Sequence, residues 1–73
     1  MEAEPFEFYI HYNGEKVLCR IEPNGEDYET YFDGGHQTKI KFDQHGHCYQ
    51  LGGEKLPMET MQAIEDGIES HLL

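Results

Sequence analysis

A chain of 73 residues makes one domain, close to the lower limit at which an apolar core holds without disulfides or metals. Its hydrophobic content of 37% is low for a globular protein, but 4 Phe and 5 Tyr are too many for a disordered one. Against 5 basic residues stand 15 acidic ones, and the net charge of −10 repels phosphate backbones and anionic lipid, which argues against nucleic-acid and membrane partners.

The chain opens with MEAEPFEF, which lacks the basic-then-apolar order of a secretory leader. No run approaches the ~20 apolar residues that a bilayer span needs. Two cysteines, Cys19 and Cys48, are too few for a disulfide framework, so free thiols and a cytoplasmic location are expected.

Turn signals recur at short intervals: Asn13-Gly14, Pro23-Asn24-Gly25, Gly34-Gly35, His45-Gly46 and Gly52-Gly53. With alternating apolar residues between them, they predict an antiparallel meander with strands at about 6–12, 16–22, 27–33, 37–43 and 47–51. The first run, FEFYIHY, places Phe6, Phe8, Ile10 and Tyr12 on one side. A two-residue Asn-Gly loop fixes register and pairs Tyr12 with Glu15, Ile10 with Val17, Phe8 with Cys19 and Phe6 with Ile21. A four-residue loop over 23–26 would set Ile21 opposite Tyr28, Cys19 opposite Thr30 and Val17 opposite Phe32. A three-residue loop over 34–36 would set Phe32 opposite Thr38, Thr30 opposite Ile40 and Tyr28 opposite Phe42.

On those registers the outer face carries three rows. Glu7, Arg20, Glu29 and Lys41 form one; Tyr9, Leu18, Tyr31 and Lys39 the next; His11, Lys16, Asp33 and Gln37 the last. Opposite charges alternate along the first row and Lys16 meets Asp33 in the third, the pattern of a solvated charge ladder.

The period then changes. LPMETMQAIEDGIESHLL sets Leu56, Met61, Ile64, Ile68 and Leu72 along one stripe and Glu59, Gln62, Asp66 and Glu69 on the other side, predicting a helix at about 57–72. Pro57 suits its first turn, and Glu59 and His71 complement the two ends of its dipole. Gly67, which costs about 1 kcal/mol in a helix interior, marks a place where helix and sheet come close. The expected fold is α+β, a single domain over 1–73 with four or five antiparallel strands in sequential order and one carboxyl-terminal helix on one face.

The segment His45-Gly46-His47-Cys48 raises the question of a metal. A site needs three or four converging donors. Here His45, His47 and Cys48 fall at one end of the sheet, and His11 and His36 at the other. A two-residue turn at His45-Gly46 would pair Phe42 with Tyr49 and Ile40 with Leu51, whereas a three-residue turn over 44–46 would bring Cys48 inward. A turn is the preferred reading, with no metal or cofactor; if a transition metal does bind, His45, His47 and Cys48 are its ligands.

Nucleophilic chemistry has less support. Cys19 points into the core, where burial makes a thiol inert. Cys48 and His47 are adjacent strand residues on opposite faces. Asp66 and Glu69 belong to a solvated helix face, and GGHQ and LGGEK lack phosphate-loop spacing. No catalytic residue and no enzyme activity are expected. On the open face, Lys16, Arg20, Lys39 and Lys41 are matched by Glu7, Glu29 and Asp33. That leaves the row Tyr9, Leu18 and Tyr31, ringed by Arg20, Lys39 and Lys41, as the candidate contact surface for another protein or a weak homodimer.

The layout of YFDGG, KFDQHG, YQLGGEKLP and one acidic helix resembles small uncharacterised bacterial proteins built as an antiparallel meander with a carboxyl-terminal helix. The resemblance spans nearly the whole chain and implies the fold alone. The expected function is that of a small cytoplasmic, non-enzymatic interaction or regulatory module. The alternatives are transition-metal binding at His45, His47 and Cys48, and an acidic nucleic-acid mimic whose helix carboxylates occupy a basic protein groove.

Overall fold

The computed structural model describes residues 4–72, with only the backbone of Leu72. In chain order it has β1 (Phe6–Tyr12), β2 (Glu15–Asn24), β3 (Asp27–Phe32), β4 (Gly35–Phe42), β5 (Cys48–Gln50) and α1 (Met58–Leu72). The five strands form one antiparallel sheet in the order β1-β2-β3-β4-β5, the expected meander. Among the described residues, no helix is long and apolar enough to cross a membrane.

β1 and β2 pair in the expected register along all of β1, from Phe6 with Ile21 to Tyr12 with Glu15. Asn13 and Gly14 both take positive φ, 53° and 77°, as a type I′ turn requires.

The next register differs from expectation by two residues. Ile21 faces Thr30, Cys19 faces Phe32, and Pro23 and Asn24 remain in β2, paired with Tyr28 and Asp27. Pro23 does not end the strand because its missing N–H belongs on the β1 side, and β1 begins only opposite Ile21. Gly25 then occupies the first central position of a two-residue turn with φ 67°, the place a type II′ hairpin reserves for glycine.

The β3–β4 register also differs. Asp33 and Gly34, at φ 49° and 88°, make another type I′ turn in place of the expected loop over 34–36. Phe32 therefore faces Gly35, and Thr30 faces Thr38. A bulge between Thr30 and Tyr31 on this ladder leaves Gln37 without a partner and sets His36, not Gln37, opposite an outer residue, Tyr31.

At the last hairpin the three-residue turn prevails. Phe42 pairs with Cys48 and Ile40 with Gln50, so the expected pairing of Phe42 with Tyr49 through a His45-Gly46 turn is corrected. Asp43 decides the outcome. Its carboxylate accepts the N–H of His45 at 2.8 Å and of His47 at 3.0 Å. The Gly46 N–H bonds Asp43 O at 3.1 Å, with Gly46 at φ 85°, the three-residue hairpin built from a type I turn and a glycine bulge.

Both two-residue slides preserve parity, so the residues of β1 to β4 expected inside remain inside, whereas in the last hairpin Cys48 turns inward and Tyr49 and Leu51 are exposed. Ile21, Ile40, Ile64, Ile68, Cys19 and Thr30 are fully buried, with Phe6, Ile10, Val17, Thr38 and Leu56 nearly so. α1 lies over this face and comes closest to β1 and β5, the two edges of the sheet. Of the expected helical stripe, Leu56, Ile64 and Ile68 are buried and Met61 partly so; the side chain of Leu72 lies outside the described residues. Gly67 sits directly on the Phe8 ring, and a Cβ there would overlap it. His71 stacks flat on Phe6, with ring centroids 3.7 Å apart.

Candidate functional site

Among the described residues nothing covers the outer face of the sheet, and side chains alternate onto it from every strand. Tyr9 is 62% exposed and faces Leu18 as expected, with the Lys16 ammonium 4.5 Å from its ring centroid. Tyr31 is not in that row. The slide of β3 sets it opposite Arg20 and edge-on to His36. Asp33 takes its place beside Leu18, donating its N–H to Leu18 O at 2.9 Å and accepting the Leu18 N–H at 3.0 Å. Of the six expected contact residues, Tyr9 is exposed while Leu18, Arg20, Tyr31, Lys39 and Lys41 are half-buried.

Each cation of this face has a partner, though several partners differ from the expected ones. Arg20 lies 3.6 Å from Glu7 as expected and donates to Glu22 at 2.8 Å in place of Glu29. Those contacts, the Glu22 bond first, raise the Arg20 pKa. Lys41 pairs with Glu26 at 3.3 Å, not with Glu29, and its pKa is raised by that carboxylate. Lys39 lies 3.5 Å from Glu29. Glu29 also meets the His36 ring at 2.7 Å, and that bond chiefly lowers its pKa. The expected row of Glu7, Arg20, Glu29 and Lys41 is thus corrected to neighbouring pairs formed after the two-residue slide. Pairs this exposed are worth little individually.

The expected histidine split holds in part. His36 joins Glu29 on the outer face, and His47 Nδ1 is 3.8 Å from Glu65. His45 and His47 flank the Asp43 turn, while Cys48 is half-buried on the inner side. Among the described residues, no three His, Cys, Asp or Glu side chains converge as a metal would require. The Cys48 thiol is within 3.6 Å of Met61 O and its pKa is pushed up to about 12, by burial first and then by Glu65. Burial alone takes Cys19 to about 12. Both shifts favour the protonated thiol at neutral pH.

Two features escape the sequence reading. Glu65 is buried (8% exposed), and its carboxylate accepts the Cys48 N–H at 3.0 Å, capping the outer edge of β5. Its position is a legible signal, since residues 61, 64, 65 and 68 share one helical stripe. Gln50 is the other. Its amide nitrogen donates to Thr38 Oγ1 at 3.1 Å and Glu54 O at 2.8 Å, and its oxygen accepts the Leu56 N–H at 2.8 Å. This clamp holds residues 51–57 beside the sheet and opens a groove of about 590 Å³ between β5 and α1. Tyr49, Leu51 and Met58 line it, at 43%, 47% and 86% exposure.

Compared with known proteins, the chain matches no family model, no curated protein and no solved structure.

Proposed function

We propose that this protein is a small non-enzymatic interaction module whose contact surface is the open sheet face around Tyr9 and Leu18, bounded by Tyr31, Arg20, Lys39 and Lys41. The observation that carries the reading is the layering: one helix covers one face of a five-stranded sheet, leaving an aromatic ring 62% exposed on the other, on its edge strand β1. The surrounding charges are paired within the chain, so they would form a polar rim about an apolar centre. Two free cysteines, one fully buried, fit a reducing cytoplasm.

The groove favours a second placement of the contact. Among the described residues, three of the four exposed large hydrophobic side chains, Tyr49, Leu51 and Met58, line it, and a partner's apolar side chain would lodge there. Affinity capture with wild type, Tyr9→Ser and Leu51→Ser separates the two. Loss of a captured protein with Tyr9→Ser alone supports the sheet face, and loss with Leu51→Ser alone moves the contact to the groove. Capture unaffected by either variant, or no specific capture, refutes the proposal.

A further inference from the structure

The two edges of the sheet are finished differently. β5 is three residues long, and its outward Cys48 N–H is taken by Glu65 of α1. β1 is seven residues long and pairs only with β2. Because a two-residue turn closes on a hydrogen-bonded pair, Tyr12, Ile10, Phe8 and Phe6 direct their backbone groups to β2. Glu7, Tyr9 and His11 therefore direct theirs away from the sheet, where no backbone partner meets them among the described residues. α1 meets β1 on the inner face, through His71 on Phe6 and Gly67 on Phe8. Edges are ordinarily blunted by charged side chains, Lys above all, by Pro or by a bulge, and of these FEFYIHY contains only Glu7, at one end of the strand.

The strand is also complementary to itself. About Tyr9, Glu7 mirrors His11, Phe8 mirrors Ile10, and Phe6 mirrors Tyr12. We propose that the β1 edge pairs antiparallel with β1 of a second copy of this chain, with Tyr9 against Tyr9 on a two-fold axis. In that register the three residues with free backbone groups pair only with one another, so every free N–H finds a C=O. On the outer face Glu7 of each copy meets His11 of the other, an opposite-charge pair whenever the imidazole is protonated. On the inner face Phe8 meets Ile10, and Phe6 meets Tyr12. Pairings shifted by two residues keep the hydrogen-bond parity, but they set Glu7 or His11 against Tyr9 and leave one residue of each edge unmatched. Self-complementarity of this kind is what a two-fold interface demands. The interface is small and the association weak.

This inference is independent of the sheet-face reading: a chain that dimerises through β1 yet captures nothing else keeps one and loses the other. Sedimentation equilibrium from about 10 µM to about 1 mM should show the mass rising from 8.5 kDa toward twice that value. Amide exchange at Glu7, Tyr9 and His11 should slow over the same range, while Phe8, already bonded to Cys19, stays unchanged. Tyr9→Pro removes an outward N–H without touching the β1–β2 ladder and should lower the association constant about tenfold. Where that variant fails to fold, the charge swap replaces it: Glu7→Lys should weaken association about threefold to tenfold, and Glu7→Lys with His11→Glu should restore it. A mass of 8.5 kDa at every concentration overturns the proposal. So does a dimer in which the three amides exchange as in the monomer, or one that the charge swap does not rescue.

Discussion

The two faces of the sheet respond differently to the same displacement. β2 against β3, and β3 against β4, each lie two residues from the register expected when loop lengths are set to keep apolar residues on one face. On the inner face the slide exchanges one apolar or small partner for another, and Ile21, Thr30, Thr38 and Ile40 stay buried. On the outer face it dissolves the expected contacts of Arg20 and Lys41 with Glu29 and replaces them with Glu22 and Glu26. Face membership depends on parity, whereas an ion pair depends on distance.

Mutations can break that contrast, and the largest effects belong to the inner face. Ile21→Ala or Ile64→Ala, each at a fully buried position, should cost about 2–5 kcal/mol in urea denaturation, a large share of the stability of a small domain. Tyr9→Ser on the outer face should stay within about 0.5 kcal/mol. If Tyr9→Ser costs as much as Ile21→Ala, the outer face is covered in solution and the contrast fails.

Gly67→Ala comes next. In an open helix it would gain about 1 kcal/mol, but here the new methyl overlaps the Phe8 ring, and overpacking typically costs about 1–3 kcal/mol. The net expectation is destabilisation, reversed in a Phe8→Ala background, where the methyl has room. A double-mutant cycle checks the reversal, and additivity would show that helix and sheet do not touch at this point.

Thr30→Val sharpens the same contrast in the opposite direction. The Thr30 hydroxyl is buried without a hydrogen-bond partner among the described residues, whereas Thr38 across the ladder donates to Gly52 O at 2.6 Å. Val has nearly the same shape, so removing the unpaired hydroxyl should stabilise the chain by about 1 kcal/mol, and Thr38→Val should destabilise it. Equal effects at both positions would mean that Thr30 has a partner in solution.

The parts that were legible in the sequence share a cause. Asn13-Gly14 admits one turn type, so the β1–β2 pairs follow residue by residue; the period of the last segment locates α1 and its buried stripe. The parts that were not legible depend on neighbours. Pro23 reads as a strand terminator until β1 is known to stop short of it. Asp33 reads as a strand residue until its tolerance of positive φ places it in the turn, and the bulge that turns His36 outward leaves no mark in composition. For the site, the apolar pair of Tyr9 and Leu18 was readable because it lies in the well-determined hairpin. Tyr31 was misplaced because it lies beyond the first ambiguous turn. The Gln50 clamp reaches Thr38, 12 positions away, which no local pattern encodes.

Asp43 provides the smallest effect and the clearest sign. Its carboxyl pKa is lowered, by the His47 N–H first and the His45 N–H as well. A carboxyl whose folded pKa lies below its unfolded value stabilises the fold above the ordinary Asp range, near 3.9, and loses that contribution as pH falls through the folded pKa. Asn at the same position still offers an oxygen to both N–H groups but has no proton to gain. The melting temperature of Asp43→Asn should therefore fall less between pH 7 and pH 3 than that of wild type, with Glu29→Gln, the other lowered carboxylate, behaving in the same sense. Because Asp43 holds the turn that brings Cys48 inward, Asp43→Ala should also loosen the β4–β5 pairing and raise amide exchange at Tyr49, whereas Asp43→Asn should not. Identical acid slopes for wild type and Asp43→Asn would show that ionisation of Asp43 adds nothing to the stability of the fold.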